Sequence, residues 1–381
     1  MRRINMADPH FNEVDRNRIH REVEIILDGA LSMGSNVQAF EQEFAHRVGV
    51  RHAIAMNSCT SALEAALLAL GATGREVIVP AETFIATGMA VHLTGGIPVF
   101  AEISETTLCL DLEDVKRRVT DRTIGILLVH MAGLITPDIL KFRQFCKDNG
   151  LFLLEDAAHA PGARYKNQEA GSFGQAGCFS FFPTKVITAG EGGMLTTNDD
   201  AVAAFARSFQ HRGRDMSSKV ERYSAPGRNV RMTEITALLG RVQLGHLGEF
   251  LHRRRQIAAI YGRELRNFPG LVVLLPETLE SSSFWKVPVL LDRSKDRLAI
   301  TEYMRAAGIS VDWAYQPALH MQPVFCSLYG TGEGQLPRTE DILSRHLCLP
   351  CHPRMSDEDA LHVTRTIKEV IRMLQVGRGA V

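Results

Sequence analysis

An excess of charge of either sign is missing from this 381-residue chain, in which 43 Lys and Arg meet 43 Asp and Glu. With no net charge, nothing draws it as a whole to nucleic acid or to an anionic membrane. Long apolar runs are missing too, and none approaches the ~20 residues that a membrane span needs. The N-terminus, MRRINMADPHFNEVD, carries arginines with no apolar stretch behind them, so no signal peptide is expected. Cysteine is sparse: seven are scattered singly, apart from Cys348 and Cys351, which lack a second pair at zinc-ribbon spacing. Reduced thiols in a cytoplasmic protein are expected, and no metal site. Repeats, low-complexity tracts and long linkers are absent. What remains is ordinary globular composition, 45% hydrophobic and 23% charged, with room for a large core and a second lobe.

The most informative stretch runs from residue 151 to 198. It opens with the apolar run 151–154, too short for a helix, which reads as a buried strand of a parallel sheet. The run ends in Glu155 and Asp156, and function in open α/β sheets gathers at the carboxyl ends of strands. A second apolar run, 177–182, leads to Pro183, Thr184 and Lys185, and the glycines at 190, 192 and 193 let the backbone pass close to whatever Lys185 holds. An acid and a lysine just past buried strands suit a pyridoxal phosphate site. The amine would form a Schiff base with the aldehyde, and the carboxylate would pair with the pyridinium nitrogen. Taken singly, each has a plainer reading, since lysines in glycine-rich loops are usually solvated and an Asp after a strand is often a helix cap.

Elsewhere strands are expected at 52–56, 77–80, 98–103 and 123–131, with helices at 16–28, 37–48, 85–93, 111–119 and 137–149. That alternation calls for right-handed βαβ units and a mainly parallel sheet covered on both faces. Asn57 to Leu63 opens a further helix, where Thr60 and Ser61 would cap backbone N–H groups or hold a phosphate by the same geometry. Phe84, at a strand-to-helix junction, is core or a stacking platform. Ser180 alternates with Phe179 and Phe181 and so points to the face opposite them. Asn229 reads as a turn residue ahead of a helix at 232–247. After a helix at 250–268 the pattern becomes α+β, with strands at 271–275, 285–291 and 310–313 and helices at 296–307 and 357–375. The expected division is therefore residues 1–250, an N-terminal segment and large domain, and 251–381, a smaller one.

The wording of the central block, EDAAHAPGARY, GSFG, CFSFFPTK and GEGGMLTTND, with GRNVRMTE further on, closely resembles the DegT/DnrJ/StrS family of sugar aminotransferases. The resemblance covers nearly the whole chain. It implies a fold-type I pyridoxal phosphate enzyme that aminates a nucleotide-linked keto-sugar, with glutamate or glutamine as donor. By that resemblance Lys185 holds the cofactor, Asp156 its ring nitrogen and His159 its phenolic oxygen, while Phe84 stacks on the ring. Thr60, Ser61 and Ser180 would hold the phosphate, as would Asn229 from the neighbouring subunit of a homodimer. The segment 31–36 would lie over the active site, unless it is a plain turn around Gly34, and His320 would stand near the entrance. Two departures are visible: Cys59 where many relatives have Gly, and His130-Met131-Ala132-Gly133 where many read HLYG. Lys185 argues against the family's dehydratases, in which histidine replaces it, and the retention of Lys185 and Asp156 argues against a non-catalytic regulatory protein. A cyclitol or another keto-sugar remains open as acceptor.

Overall fold

A computed structural model describes residues 3–293 and 295–376. Seven strands form the main sheet: β1 (His52–Met56), β2 (Glu76–Pro80), β3 (Ile97–Ala101), β4 (Thr123–Val129), β5 (Phe152–Asp156), β6 (Ala176–Ser180) and β7 (Gly193–Thr197). Their order is β1-β7-β6-β5-β4-β2-β3. Pairs from β6 through β3 are parallel, whereas β7 runs antiparallel to both of its neighbours. Val, Ile, Leu and Ala fill the strands because helices cover both faces, as a parallel sheet demands. The aromatic cluster Phe40, Phe44, Phe179 and Phe181 anchors the helix Ser35–Val48 on one face. On the other, Ala62, Leu63, Ala66 and Leu67 seat the helix Cys59–Ala69.

The acids of β5 belong to the strand rather than following it. Consecutive strand residues face opposite sides, so Glu155 and Asp156 serve different ends. The Glu155 carboxylate, fully buried, accepts the backbone N–H groups of Gly171 (2.8 Å), Phe173 (2.6 Å) and Gly174 (2.8 Å) and pairs with His130 Nε2 at 2.8 Å. It thereby ties the GSFG turn to the end of β4. Asp156 is left for the other side. β4 itself stops at Val129, short of the expected Met131, because Ala132 (φ 54°) and Gly133 (φ 96°) turn the chain.

A three-stranded antiparallel sheet, β8 (Leu271–Val273), β9 (Val287–Leu291) and β10 (His346–Leu349), follows later in the chain. The helices Leu247–Glu264, Arg297–Ala306 and Asp357–Val376 share a core with it, built on residues such as Ile257, Tyr261, Val289, Met304 and Ile367. The strand expected at 310–313 does not form. Ile309 bridges only to Ile4 and Asp312 only to Cys348, after which Tyr315, at φ 57°, breaks the extended run. β7, β10 and the helices Pro323–Tyr329 and Pro337–Arg345 lie where no element was expected.

Candidate active site

The carboxyl ends of β5 and β6 open into a cavity of about 430 Å³. Asp156 enters it from β5, 5% exposed. Its Oδ2 accepts the Thr87 hydroxyl at 2.9 Å, its Oδ1 accepts the Ala158 N–H at 3.1 Å, and Cys59 Sγ lies 4.0 Å away. Burial pushes its pKa up, while Thr87, the Ala158 N–H and Lys185 pull the other way. Lys185 enters from the loop after β6, placed by the Lys185 N–H bond to the Phe182 carbonyl at 2.9 Å. Enclosure by protein lowers its amine from 10.5 to about 8, against the opposing pull of Asp156. Among the described residues neither group has a salt-bridge partner, although both are charged in water. Charged groups left unpaired in an enclosed site are costly unless a ligand matches them.

His159, 3% exposed, stacks on the Trp285 indole with centroids 3.8 Å apart and planes 11° apart. Its Nε2 lies 2.9 Å from the Tyr315 hydroxyl, and its Nδ1 has no hydrogen-bond partner among the described residues. Burial holds its pKa well below the usual imidazole range, helped by the nearby Lys185 and Lys286. Lys185 Nζ stands 4.6 Å from the Trp285 ring centroid, and Trp285 Nε1 donates to the Thr184 carbonyl at 2.7 Å. Phe84 edges the cavity, 54% exposed, with its ring 5.7 Å from that of Tyr315.

Thr60 and Ser180 line the cavity beside the start of the helix Cys59–Ala69. A Cβ on Gly193 would sit 2.2 Å from the Ser58 carbonyl carbon, so only glycine lets β7 pass this close to the helix start. Ser61 is brought near without reaching the cavity. Its hydroxyl donates to Asn57 Oδ1 at 2.8 Å, and its N–H donates to Ser58 Oγ. Asn229 is exposed, bridges to His211, and does not line the cavity of its own chain. Nor does the segment 31–36. There the Glu234 carboxylate accepts the N–H groups of Gly34 (2.8 Å), Asn36 (2.8 Å) and Val37 (3.0 Å), which caps the helix Ser35–Val48. His320 is buried against Glu340 at 2.9 Å and does not line the cavity.

A sequence profile of the DegT/DnrJ/EryC1/StrS aminotransferase family matches residues 13–368. The chain belongs to this family. Among relatives of the DegT/DnrJ/EryC1/StrS family, the spore coat polysaccharide biosynthesis protein SpsC of Bacillus subtilis is 35% identical over 377 residues, covering 94% of this chain and 95% of that protein. The dTDP-4-dehydro-2,3,6-trideoxy-D-glucose 4-aminotransferase of Saccharopolyspora spinosa is 32% identical, covering 97% of each. In three dimensions the Helicobacter pylori aminotransferase PseC, involved in the biosynthesis of pseudoaminic acid, matches 98% of this chain and 100% of its own with a TM-score of 0.90 at 26% identity. The fold is therefore fold-type I, and the enzyme is a pyridoxal phosphate-dependent aminotransferase.

The cavity's groups fit that cofactor. An unpaired buried carboxylate suits a protonated ring nitrogen, and an unpaired amine suits an aldehyde. A buried imidazole nitrogen without a partner suits a phenolic oxygen, and the helix start beside Thr60 and Ser180 suits a phosphate. The residues that sequence reasoning passed over are Thr87, Trp285 and Tyr315. Thr87 lies one helical turn past Thr83, to which it is hydrogen-bonded at 2.8 Å, and that spacing was a usable signal. Trp285 and Tyr315 lie far along the chain from the block they complete, and nothing local marks them.

Proposed function

We propose that this enzyme moves an amino group from glutamate or glutamine to a nucleotide-linked keto-sugar. The reading is carried by the convergence of Lys185 and Asp156 in one cavity, neither of them in a salt bridge among the described residues. A sugar acceptor is supported by the name of the Saccharopolyspora spinosa relative. When bound, pyridoxal phosphate supplies an electron sink and carries the nitrogen between donor and acceptor. Lys185 would hold the cofactor covalently at rest. Its amine would also move protons, taking one from the donor's α-carbon and giving one to the sugar carbon that receives nitrogen, duties that suit a pKa of about 8. Asp156, oriented by Thr87 and the Ala158 N–H, keeps the ring nitrogen protonated. His159 would donate to the phenolic oxygen, Phe84 would cover the ring, and Thr60 and Ser180 would hold the phosphate, with Ser61 behind them at the helix start rather than in the cavity. Residues 1–250 form the cofactor-binding part and 251–381 the smaller one. The location is cytoplasmic, in keeping with seven free cysteines.

Stoichiometric conversion tests the proposal. Glutamate or glutamine in excess shifts the absorbance of the resting enzyme to that of the amine form of the cofactor, and a nucleotide keto-sugar restores it. A protein that responds to no amino acid is a binding protein on the same fold.

The working unit in this reading is a homodimer with shared sites. Asn229 supports it, being exposed and clear of its own cavity, as are the apolar side chains of Leu31, Met33 and Ile235. In the dimer Asn229 reaches the partner's cofactor phosphate. Mixing inactive Lys185→Ala with inactive Asn229→Asp chains puts both lesions in one site of the heterodimer and none in the other. Random reassortment then recovers up to about a quarter of wild-type activity. Chains shown to have exchanged without recovery place Asn229 outside the partner's site.

A further inference from the structure

His159 is a buried imidazole with two ring nitrogens and one recorded partner, and which nitrogen carries the proton decides what it offers to a ligand. Its Nε2 lies 2.9 Å from the Tyr315 hydroxyl, and its Nδ1 is buried with no partner among the described residues. Two arrangements satisfy that distance. If the phenol donates to Nε2, its hydrogen is used, and the N–H of the neutral ring sits on Nδ1. If Nε2–H donates to the phenol, the phenolic hydrogen needs another acceptor, and among the described residues the Tyr315 hydroxyl makes no other hydrogen bond. The O–H of the half-buried Tyr315 would then lack a protein acceptor, together with the buried Nδ1 lone pair. Leaving one group unmatched costs less than leaving two, since each costs on the order of 1–3 kcal/mol.

We propose that Tyr315 is a positioning residue that fixes His159 as the Nδ1–H tautomer, so that the imidazole presents a hydrogen-bond donor to an anionic oxygen of the ligand. The ring plane is fixed independently by Trp285, stacked at 3.8 Å, whose own N–H is committed to the Thr184 carbonyl. The His159 carbonyl is held by the Ser283 hydroxyl, two residues before Trp285. Both aromatic partners rest on left-handed backbone. Phe284, just ahead of Trp285, has φ 50°, and Tyr315 itself has φ 57°, conformations that cost non-glycine residues energy and persist where the surroundings enforce them. Lys185, Lys286 and His130 all act on the imidazole in the direction that keeps it neutral, so a single ring proton is what has to be placed. The identity of the anionic oxygen, the cofactor's phenolate, rests on the pyridoxal phosphate reading of the cavity. The tautomer does not.

Two-bond ¹H–¹⁵N correlation spectra of apoprotein labelled at histidine read the tautomer directly, with the His159 signals assigned by their loss in His159→Gln. The expected spectrum has a protonated Nδ1 and an unprotonated Nε2. A protonated Nε2 overturns the proposal, whatever the variants do. In Tyr315→Phe the His159 signals move toward a mixture of tautomers, and affinity of the apoprotein for pyridoxal phosphate falls about tenfold. Signals unchanged in folded Tyr315→Phe remove Tyr315 from the role, and Tyr315→Met supplies the same comparison if the phenylalanine variant does not fold. An Nδ1–H signal in a protein that binds no pyridoxal phosphate rejects the cofactor reading and leaves the tautomer standing. Normal cofactor binding with an Nε2–H signal does the reverse.

Discussion

Lys185→Ala abolishes transamination, with turnover lowered on the order of 10⁴-fold or more, because it removes both the covalent anchor and the proton carrier. Borohydride treatment followed by peptide mass analysis checks the anchor. Wild-type enzyme gains the reduced cofactor on the peptide containing Lys185, and the variant gains none. The amine's pKa of about 8 adds a pH signature. Capture of the aldehyde by apoprotein speeds up as pH rises, reaches half its limit near pH 8 and levels off above it, as the amine becomes neutral. Stability follows with a definite sign. The folded-state pKa lies below the ordinary 10.5, so between about pH 8 and 10.5 the unfolded chain holds a proton that the folded chain has released. Apoprotein stability attributable to this group therefore rises with pH across that window, and Lys185→Ala flattens the rise. Full activity in the variant ends the catalytic reading.

Asp156→Asn produces the second large loss, roughly 10²–10³-fold in turnover, the scale of removing one preorganised electrostatic partner. Shape is nearly kept, and the amide oxygen still accepts from Thr87 or from the Ala158 N–H. Burial already penalises the charged carboxylate, so the neutral amide folds as well or better in the apoprotein. Melting temperature stays level or rises while turnover collapses. The opposite pattern, a lower melting temperature with normal turnover per folded molecule, makes Asp156 a structural residue. A buried carboxylate has an elevated pKa until a cation meets it, and a protonated ring nitrogen is that cation.

Much of this site could be read before the fold was seen, and the reason is locality. Asp156, His159, Ser180 and Lys185 fall within 30 residues of one another, on two apolar runs whose length and composition mark them as buried strands. The boundaries were less legible. Glu155 looked like strand punctuation, yet it is a strand residue whose four hydrogen-bond partners come from residues 130 to 174. β7 was hidden by its leading glycines, which read as loop, although Gly193 is glycine to let a strand pass the backbone at Ser58. The expected strand at 310–313 failed because β-branched and aromatic residues set local preference, while pairing is decided by what lies alongside, here one bridge to Cys348. Trp285 and Tyr315 were invisible as site residues. An aromatic near a strand end is ordinary core until the chain it packs on is known.

The Tyr315–His159 bond spans 156 residues of sequence, and that separation has a meaning during synthesis. A ribosome adding about 5–20 residues per second needs on the order of ten seconds to travel from one to the other. Within that interval the last two strands of the main sheet, ending at Thr197, are added, and all seven can pair before the wall bearing Trp285 and Tyr315 exists. Lys185 stands open to solvent on such a nascent chain, at its ordinary basicity, and is a poor trap for an aldehyde at neutral pH. Productive cofactor loading thus belongs to the end of translation, and a ribosome stalled before residue 285 displays the sheet without an enclosed place to charge.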